Sequence, residues 1–218
     1  MTRKTTNTYF FSVEGQTESW YFAHLEKLIN NSSSATCFVK FKVEVEKDPV
    51  AFSKRLRSVG ETKVTHVCDV EGNSFHDTQK FLGTINRLKQ AKNLGKRIKY
   101  ELGYSNLTFE LWIILHKNNC SRCIRNHAQY LQSINQAYQQ NFESLDKYKK
   151  EHNFKNKILN NVTLDDVINA IRRAQKITED NHLTFRPKSY NGYSYFEHNP
   201  SISLWKSIER ILKDASLL

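Results

Sequence analysis

Two kinds of hydrophobic periodicity alternate along the first half of the chain. Apolar, β-branched and aromatic residues form strand-like segments at 8–13, 38–45, 63–68 and 97–104. Between them, apolar residues recur at helical spacing after Thr17, which we expect as an N-cap, from Pro49 to Val59, and from Ser74 to Leu94. This β-α-β-α-β-α-β order predicts an α/β fold with a mostly parallel central sheet flanked by helices.

From Leu107 onward the periodicity becomes helical. It predicts helices over Phe109–His116, Asn126–His152, Thr163–Thr178 and Ile202–Leu212, with a polar loop at Lys188–Asn199 and Pro200 at the start of the last helix. We therefore expect two parts: a core over residues 1–116, and a mainly helical C-terminal extension over residues 117–218 that packs on that core.

Composition narrows the class of protein. Hydrophobic residues make up 39% of the 218 residues, which is typical of a globular chain. No apolar run approaches the roughly 20 residues that cross a bilayer, and the N-terminus lacks a signal-peptide stretch, so we expect a cytoplasmic protein without a membrane partner. The four cysteines are too few for a disulfide scaffold and are expected to be reduced.

The chain is strongly basic. Its 33 Lys and Arg against 22 Asp and Glu give a net charge of +11, which favours a polyanionic partner such as nucleic acid. Candidate nucleic-acid contacts are basic residues that cluster along the chain, some of them near tyrosines: Lys96, Arg97, Arg122, Arg125, Arg172, Arg173, Arg186 and Lys188. Any one of these clusters could equally be an ordinary solvated face.

Against this basic background, two acidic clusters follow predicted strands. Glu14 and Glu18 follow the first strand, and Asp69 and Glu71 end a later one. Ligand sites of open α/β sheets gather at the carboxyl ends of strands, so neighbouring strands would bring these carboxylates together. A cation would then offset their repulsion, and hard oxygen ligands suit Mg²⁺ or Mn²⁺. Each pair alone could instead consist of solvated loop acids.

A family resemblance rests on four segments. They are Val13-Glu14-Gly15-Gln16-Thr17-Glu18 with Tyr21-Phe22, Asp69-Val70-Glu71, Ser105 to His116, and Asn199-Pro200-Ser201. In these segments the chain resembles RloB-like proteins with a Toprim domain. That family is related to the overcoming-lysogenisation-defect nuclease domains. The chain departs from the family pattern at Glu71, where an aspartate is usual, and at Leu107, where a proline is usual.

The resemblance implies a Toprim-like fold and a metal-dependent endonuclease acting on RNA, such as tRNA, or on DNA. Catalytic Glu14, Asp69 and Glu71 would hold Mg²⁺ or Mn²⁺, and Glu18 and Glu110 would be further metal ligands. It also implies a role in antiphage defence and abortive infection, with a separate ATPase partner; a homodimer is a further possibility. The alternative is a non-catalytic nucleic-acid-binding or ATPase-partner subunit with the same fold.

A zinc-like pattern lies further along the chain, at His116, Cys120, Cys123 and His127. On one continuous helix the outer two residues would be about 16 Å apart along the axis, too far to share one ion. Only an interruption of the helix around residues 118–121 would bring the four side chains together. His116 ends the predicted helix, and we expect it to be a helix-terminal cap, with a phosphate contact as the alternative.

Overall fold

A five-stranded sheet organises the chain in a computed structural model that describes residues 4–57, 60–72, 74–120, 124 and 126–218. The strands are β1 (Thr6–Val13), β2 (Phe38–Val45), β3 (Thr62–Asp69), β4 (Ile98–Asn106), β5 (Lys188–Tyr190), β6 (Tyr193–Tyr195) and β7 (Ser201–Ile202). The sheet order is β2-β1-β3-β4-β7, in which the first four strands are parallel and β7 is antiparallel to β4. This confirms the predicted α/β fold with a mostly parallel sheet.

Helices cover both faces of the sheet. They are α1 (Gln16–Asn31), α2 (Pro49–Arg55), α3 (Phe75–Lys92), α4 (Glu110–Leu115), α5 (His127–Tyr138), α6 (Leu145–Tyr148), α7 (Glu151–Asn153), α8 (Leu164–Thr184) and α9 (Trp205–Asp214). A π-helical turn (Phe154–Ile158) and a 3₁₀ turn (Leu159–Asn161) link α7 to α8. None of the helices in the described part of the chain is long and apolar enough to cross a membrane.

The two faces of the sheet bury separate hydrophobic cores. Alternation along β3 sends Val67 into the core shared with α1, α4, α5, α8 and α9, and sends Val64 and Cys68 into the core under α2 and α3. The larger core crosses the expected boundary at residue 116, because Phe11 and Trp112 pack in the same cluster as Ile208. The strand β7 likewise joins the sheet from the C-terminal part.

The predicted helix over Asn126–His152 is wrong. Helix α5 ends at Tyr138, and Gln139 adopts a left-handed conformation with φ 53°. The Asn135 side chain then braces the reversal, since its amide donates to the Phe142 carbonyl and its oxygen accepts from the Phe142 amide, both at 2.9 Å. This turn lets Tyr138 and Phe142 enter the core beside Tyr148, which one straight helix would not allow.

Other helix and loop boundaries also differ from the predictions. Gly15, and not Thr17, is the N-cap of α1, and α2 ends at Arg55. The helix predicted to end at Thr178 continues to Thr184. The predicted loop at Lys188–Asn199 contains the hairpin β5–β6, and Pro200 precedes β7 and not a helix. Cys37, Cys68 and Cys120 are buried free thiols, as expected; Cys123 lies outside the described residues.

Candidate metal centre

The two acidic clusters meet at the carboxyl ends of neighbouring strands. Strands β1 and β3 pair in parallel, with Ser12 opposite His66, so Glu14 and Asp69 follow in adjacent positions. The Asp69 amide donates to Glu14 Oε2 at 3.4 Å. The prediction that these two strand ends lie side by side is confirmed.

Two further carboxylates are buried next to this edge. Glu18 lies in the first turn of α1 and is 5% exposed, and its Oε2 accepts from the Thr17 hydroxyl at 2.9 Å. Glu110 begins α4 and is 1% exposed, with the Thr108 hydroxyl donating to its Oε2. Both residues lie in the first turn of a helix, and the packing of α1 and α4 in the larger core buries them.

The carboxylates perturb one another electrostatically. Burial, followed by the charges of Glu18, Glu110 and Glu14, raises the pKa of the Asp69 carboxyl well above its usual range. Burial also raises the pKa of Glu18, with a further rise from Glu110, and it raises the pKa of Glu14. The four acidic side chains therefore form one interacting group, which we call the acidic cluster: Glu14, Glu18, Asp69 and Glu110.

A lysine from the C-terminal part of the chain faces the acidic cluster. Lys149, just after α6, places its Nζ 2.9 Å from Glu110 Oε1, and its side chain is 44% exposed. Burial lowers the pKa of Lys149, but the carboxylates of Glu110, Asp69 and Glu18 outweigh this effect and raise it. Sequence reasoning missed this residue, because nothing in the local pattern around Lys149 links it to strand ends far earlier in the chain.

Glu71 is oriented differently from the other predicted ligands. It sits in a left-handed conformation with φ 69°, its side chain is 40% exposed, and its Oε1 pairs with Lys80 Nζ at 2.5 Å. Glu71 raises the pKa of Lys80, and Glu14 and Asp69 raise it further. Lys80, a second residue that sequence reasoning missed, therefore pairs with Glu71 and is close enough to Glu14 and Asp69 for their charges to raise its pKa.

The donor chemistry of the acidic cluster suits a hard divalent cation, since all its side-chain ligands are carboxylate oxygens. Two buried hydroxyls next to it, Ser105 Oγ and Tyr148 Oη, have no hydrogen-bond partner among the described residues. Within the described ranges, however, no group of three or more His, Cys, Asp or Glu side chains is already arranged to hold a metal ion.

The predicted nucleic-acid contacts occupy varied positions. Lys96 Nζ donates to the carbonyls of Ser53, Lys54 and Leu56 at the end of α2, and Arg173 donates to the Leu115 and His116 carbonyls at the end of α4. These two cations cap helices. Lys188 pairs with Glu197, and Arg97, Arg172 and Arg186 are exposed. Arg122 and Arg125 lie outside the described residues.

His116 is a core histidine at the C-cap of α4. Its Nδ1 lies 2.8 Å from the Trp112 carbonyl and its Nε2 lies 3.2 Å from the Tyr21 hydroxyl, so hydrogen-bond partners occupy both ring nitrogens. Burial lowers the pKa of this imidazole to about 4. The expectation of a helix-terminal histidine is confirmed. Of the other three zinc-pattern residues, Cys120 is buried, and Cys123 and the His127 side chain lie outside what the structure describes.

A family model described as RloB-like protein matches residues 9–211, which include the acidic cluster, Lys80 and Lys149. No curated protein and no solved structure matches the chain.

Proposed function

Because the chain belongs to the RloB-like protein family, we propose that it is a divalent-metal-dependent nuclease of the Toprim type that hydrolyses phosphodiester bonds in RNA or DNA. The observation that carries this proposal is the acidic cluster, in which four carboxylates meet at the carboxyl ends of β1 and β3. Burial and neighbouring charges raise the pKa of three of them, Glu14, Glu18 and Asp69. The net charge of +11 supports a polyanionic substrate.

In this proposal Glu14, Glu18, Asp69 and Glu110 hold Mg²⁺ or Mn²⁺, which when bound activates water and stabilises charge on the scissile phosphate. Asp69 is central because the charges of the three other members of the cluster act on it. Lys149 balances the negative charge of the cluster while Glu110 stays buried. Glu71, which is paired with Lys80, would complete the set of residues that hold the cation.

Family resemblance further suggests an antiphage-defence role in the cytoplasm and a separate ATPase partner. A non-catalytic subunit that binds nucleic acid or an ATPase is the alternative, and metal-dependent cleavage separates it from the nuclease.

The test is cleavage of labelled single-stranded and double-stranded RNA and DNA by the purified protein, with and without Mg²⁺ or Mn²⁺. Wild-type protein should cut at least one substrate only with the metal present. Glu14→Gln and Asp69→Asn should each lower the rate by 10²-fold or more, as an order-of-magnitude estimate.

The matched control is Glu179→Gln, which removes one exposed carboxylate from α8 and should cut at the wild-type rate. Circular dichroism should show that all three variants are folded. Nucleic-acid binding without cleavage under any metal condition would establish the non-catalytic alternative. Cleavage that persists in both Glu14→Gln and Asp69→Asn would place the active site elsewhere.

A further inference from the structure

A small pocket borders the loop that carries Glu71. Its volume is about 200 Å³, and two of its walls, Val70 and Gly72, flank Glu71 directly after β3. The pocket is tied to the end of β4 as well, since the Asn106 side chain donates to the Glu197 carbonyl at 2.8 Å. Its lining therefore includes residues that directly follow the carboxyl end of β3, where Asp69 lies.

The lining of the pocket combines aromatic and polar groups. Phe81 and Tyr195 form an edge-to-face pair with ring centroids 5.1 Å apart. The lining residues with polar side chains are Thr78, Tyr195, Glu197 and His198. Pockets that bind drug-sized ligands have volumes of roughly 300–1,000 Å³, so this smaller pocket suits one planar ring system.

His198 and Glu197 are held in place before any ligand arrives. The His198 ring stacks on Phe185 with centroids 3.6 Å apart and planes 7° from parallel, which leaves one face of the ring uncovered by Phe185. Lys188 Nζ lies 2.6 Å from Glu197 Oε1 and offsets the carboxylate charge. A polyanion can therefore approach this carboxylate, and Lys188 is one of the residues that the sequence predicted to contact nucleic acid.

We propose that this pocket binds a single nucleobase with an exocyclic amino group at the pairing edge, with cytosine as the best match, beside the phosphodiester that the acidic cluster would cut. The inference rests on the proposed nuclease function and names how that site would select its substrate. A carboxylate accepts from the cytosine amino group and repels the carbonyl that uracil carries at the same position. The His198 ring supplies a stacking surface of the kind that binds unpaired bases.

The experiment maps cleavage sites on single-stranded oligonucleotides, as RNA and as DNA, that differ only by cytosine or uracil at one position in an otherwise constant sequence. Binding of the same oligonucleotides is followed by fluorescence anisotropy with Ca²⁺ in place of Mg²⁺. We expect wild-type protein to prefer cytosine by about tenfold or more in both measurements.

Glu197→Gln should lower that preference to about twofold or less, because an amide both donates and accepts and so pairs with either base. Glu143→Gln removes an exposed carboxylate elsewhere and should keep the preference. His198→Ala should weaken binding of both oligonucleotides, about tenfold for a lost stacking contact. This exposed position also serves if Glu197→Gln does not fold.

Equal cleavage of the cytosine and uracil oligonucleotides by wild-type protein would overturn the base pocket and leave the nuclease proposal intact. A cytosine preference that survives Glu197→Gln, or His198→Ala binding equal to wild type, would overturn it in the same way. Absence of cleavage and of binding for all oligonucleotides would instead reject the nuclease proposal and this inference with it.

Discussion

Lys149 pairs with a carboxylate of the acidic cluster although it lies in a distant part of the sequence. Its ammonium is the cation paired with Glu110, whose side chain is only 2% exposed. A buried carboxylate that loses its counter-charge is strongly destabilising, whereas the exposed half of Lys149 is screened by water. The interaction should therefore contribute a modest but measurable amount to stability.

Replacing Lys149 with methionine should lower the free energy of unfolding at pH 7 by about 1–2 kcal/mol, since Glu110 is left buried and unpaired. Urea unfolding followed by circular dichroism measures this change. The control is Lys150→Met, an exposed neighbour that should change stability by less than about 0.5 kcal/mol. Adding Glu110→Gln to Lys149→Met should recover part of the loss. Equal stability of the two lysine variants would show that the pair contributes nothing measurable.

Among the elements, the turn after α5 determines how the C-terminal helices reach the core. Two hydrogen bonds from one amide side chain span the turn, from Asn135 to both backbone groups of Phe142. Tyr138 and Phe142, on either side of it, are buried. The turn thus brings α6, and Lys149 after it, toward the start of α4, where Glu110 lies.

Asn135→Ala should therefore lower the free energy of unfolding by about 1–3 kcal/mol, because it leaves two partly buried backbone groups of one turn without their partner. Thermal and urea unfolding both report the loss. Gln136→Ala, at the exposed next position of α5, is the matched control and should be close to neutral. An Asn135→Ala protein as stable as Gln136→Ala would mean that water replaces both hydrogen bonds without loss.

Two of the basic residues cap the ends of helices. Lys96 and Arg173 are in clusters that the sequence marks as nucleic-acid contacts, yet both donate to carbonyls at helix ends. Free carbonyls at a helix C-terminus attract cations, so a chain rich in Lys and Arg uses some of them as caps. Charge counts alone do not separate these from cations that face a partner.

At the scale of the whole molecule, two buried histidines make stability depend on pH. Burial lowers the pKa of His66 and of His116 to about 4, from a usual value near 6.5. Both are neutral in the fold, so the unfolded chain binds more protons than the folded chain between pH 6.5 and 4. Stability from these groups is therefore full above pH 6.5 and is lost as pH falls. The raised pKa values of Glu14, Glu18 and Asp69 act in the opposite direction.

Comparing each histidine variant with the wild type isolates the contribution of that histidine, because the carboxylates are present in both proteins. Each histidine should remove up to about 3 kcal/mol of unfolding free energy as pH falls from 7 to 4. His66→Gln and His116→Gln should each show a shallower pH dependence than wild type in urea unfolding at pH 7, 6, 5 and 4. Parallel pH profiles for a variant and the wild type would contradict the assignment for that histidine.

Local pattern determined much of this protein from sequence alone. Four strands, the order of the first helices and the adjacency of Glu14 and Asp69 follow from periodicity and from the geometry of parallel sheets, which act over a few residues or between neighbouring strands. The RloB-like segments likewise lie within the matched range.

Tertiary structure decided the rest, for two physical reasons. Which charges face one another depends on chain reversals such as the one at Gln139, and a left-handed residue or a side-chain brace leaves little trace in hydrophobic periodicity. Burial then sets the pKa values of the acidic groups that meet. Lys149 beside Glu110, the effect of Glu14 on Lys80, and the pocket lined by His198 all combine residues that are distant in sequence. The sequence thus specified which strand ends carry the acidic residues, and the tertiary structure determined which other residues lie next to them.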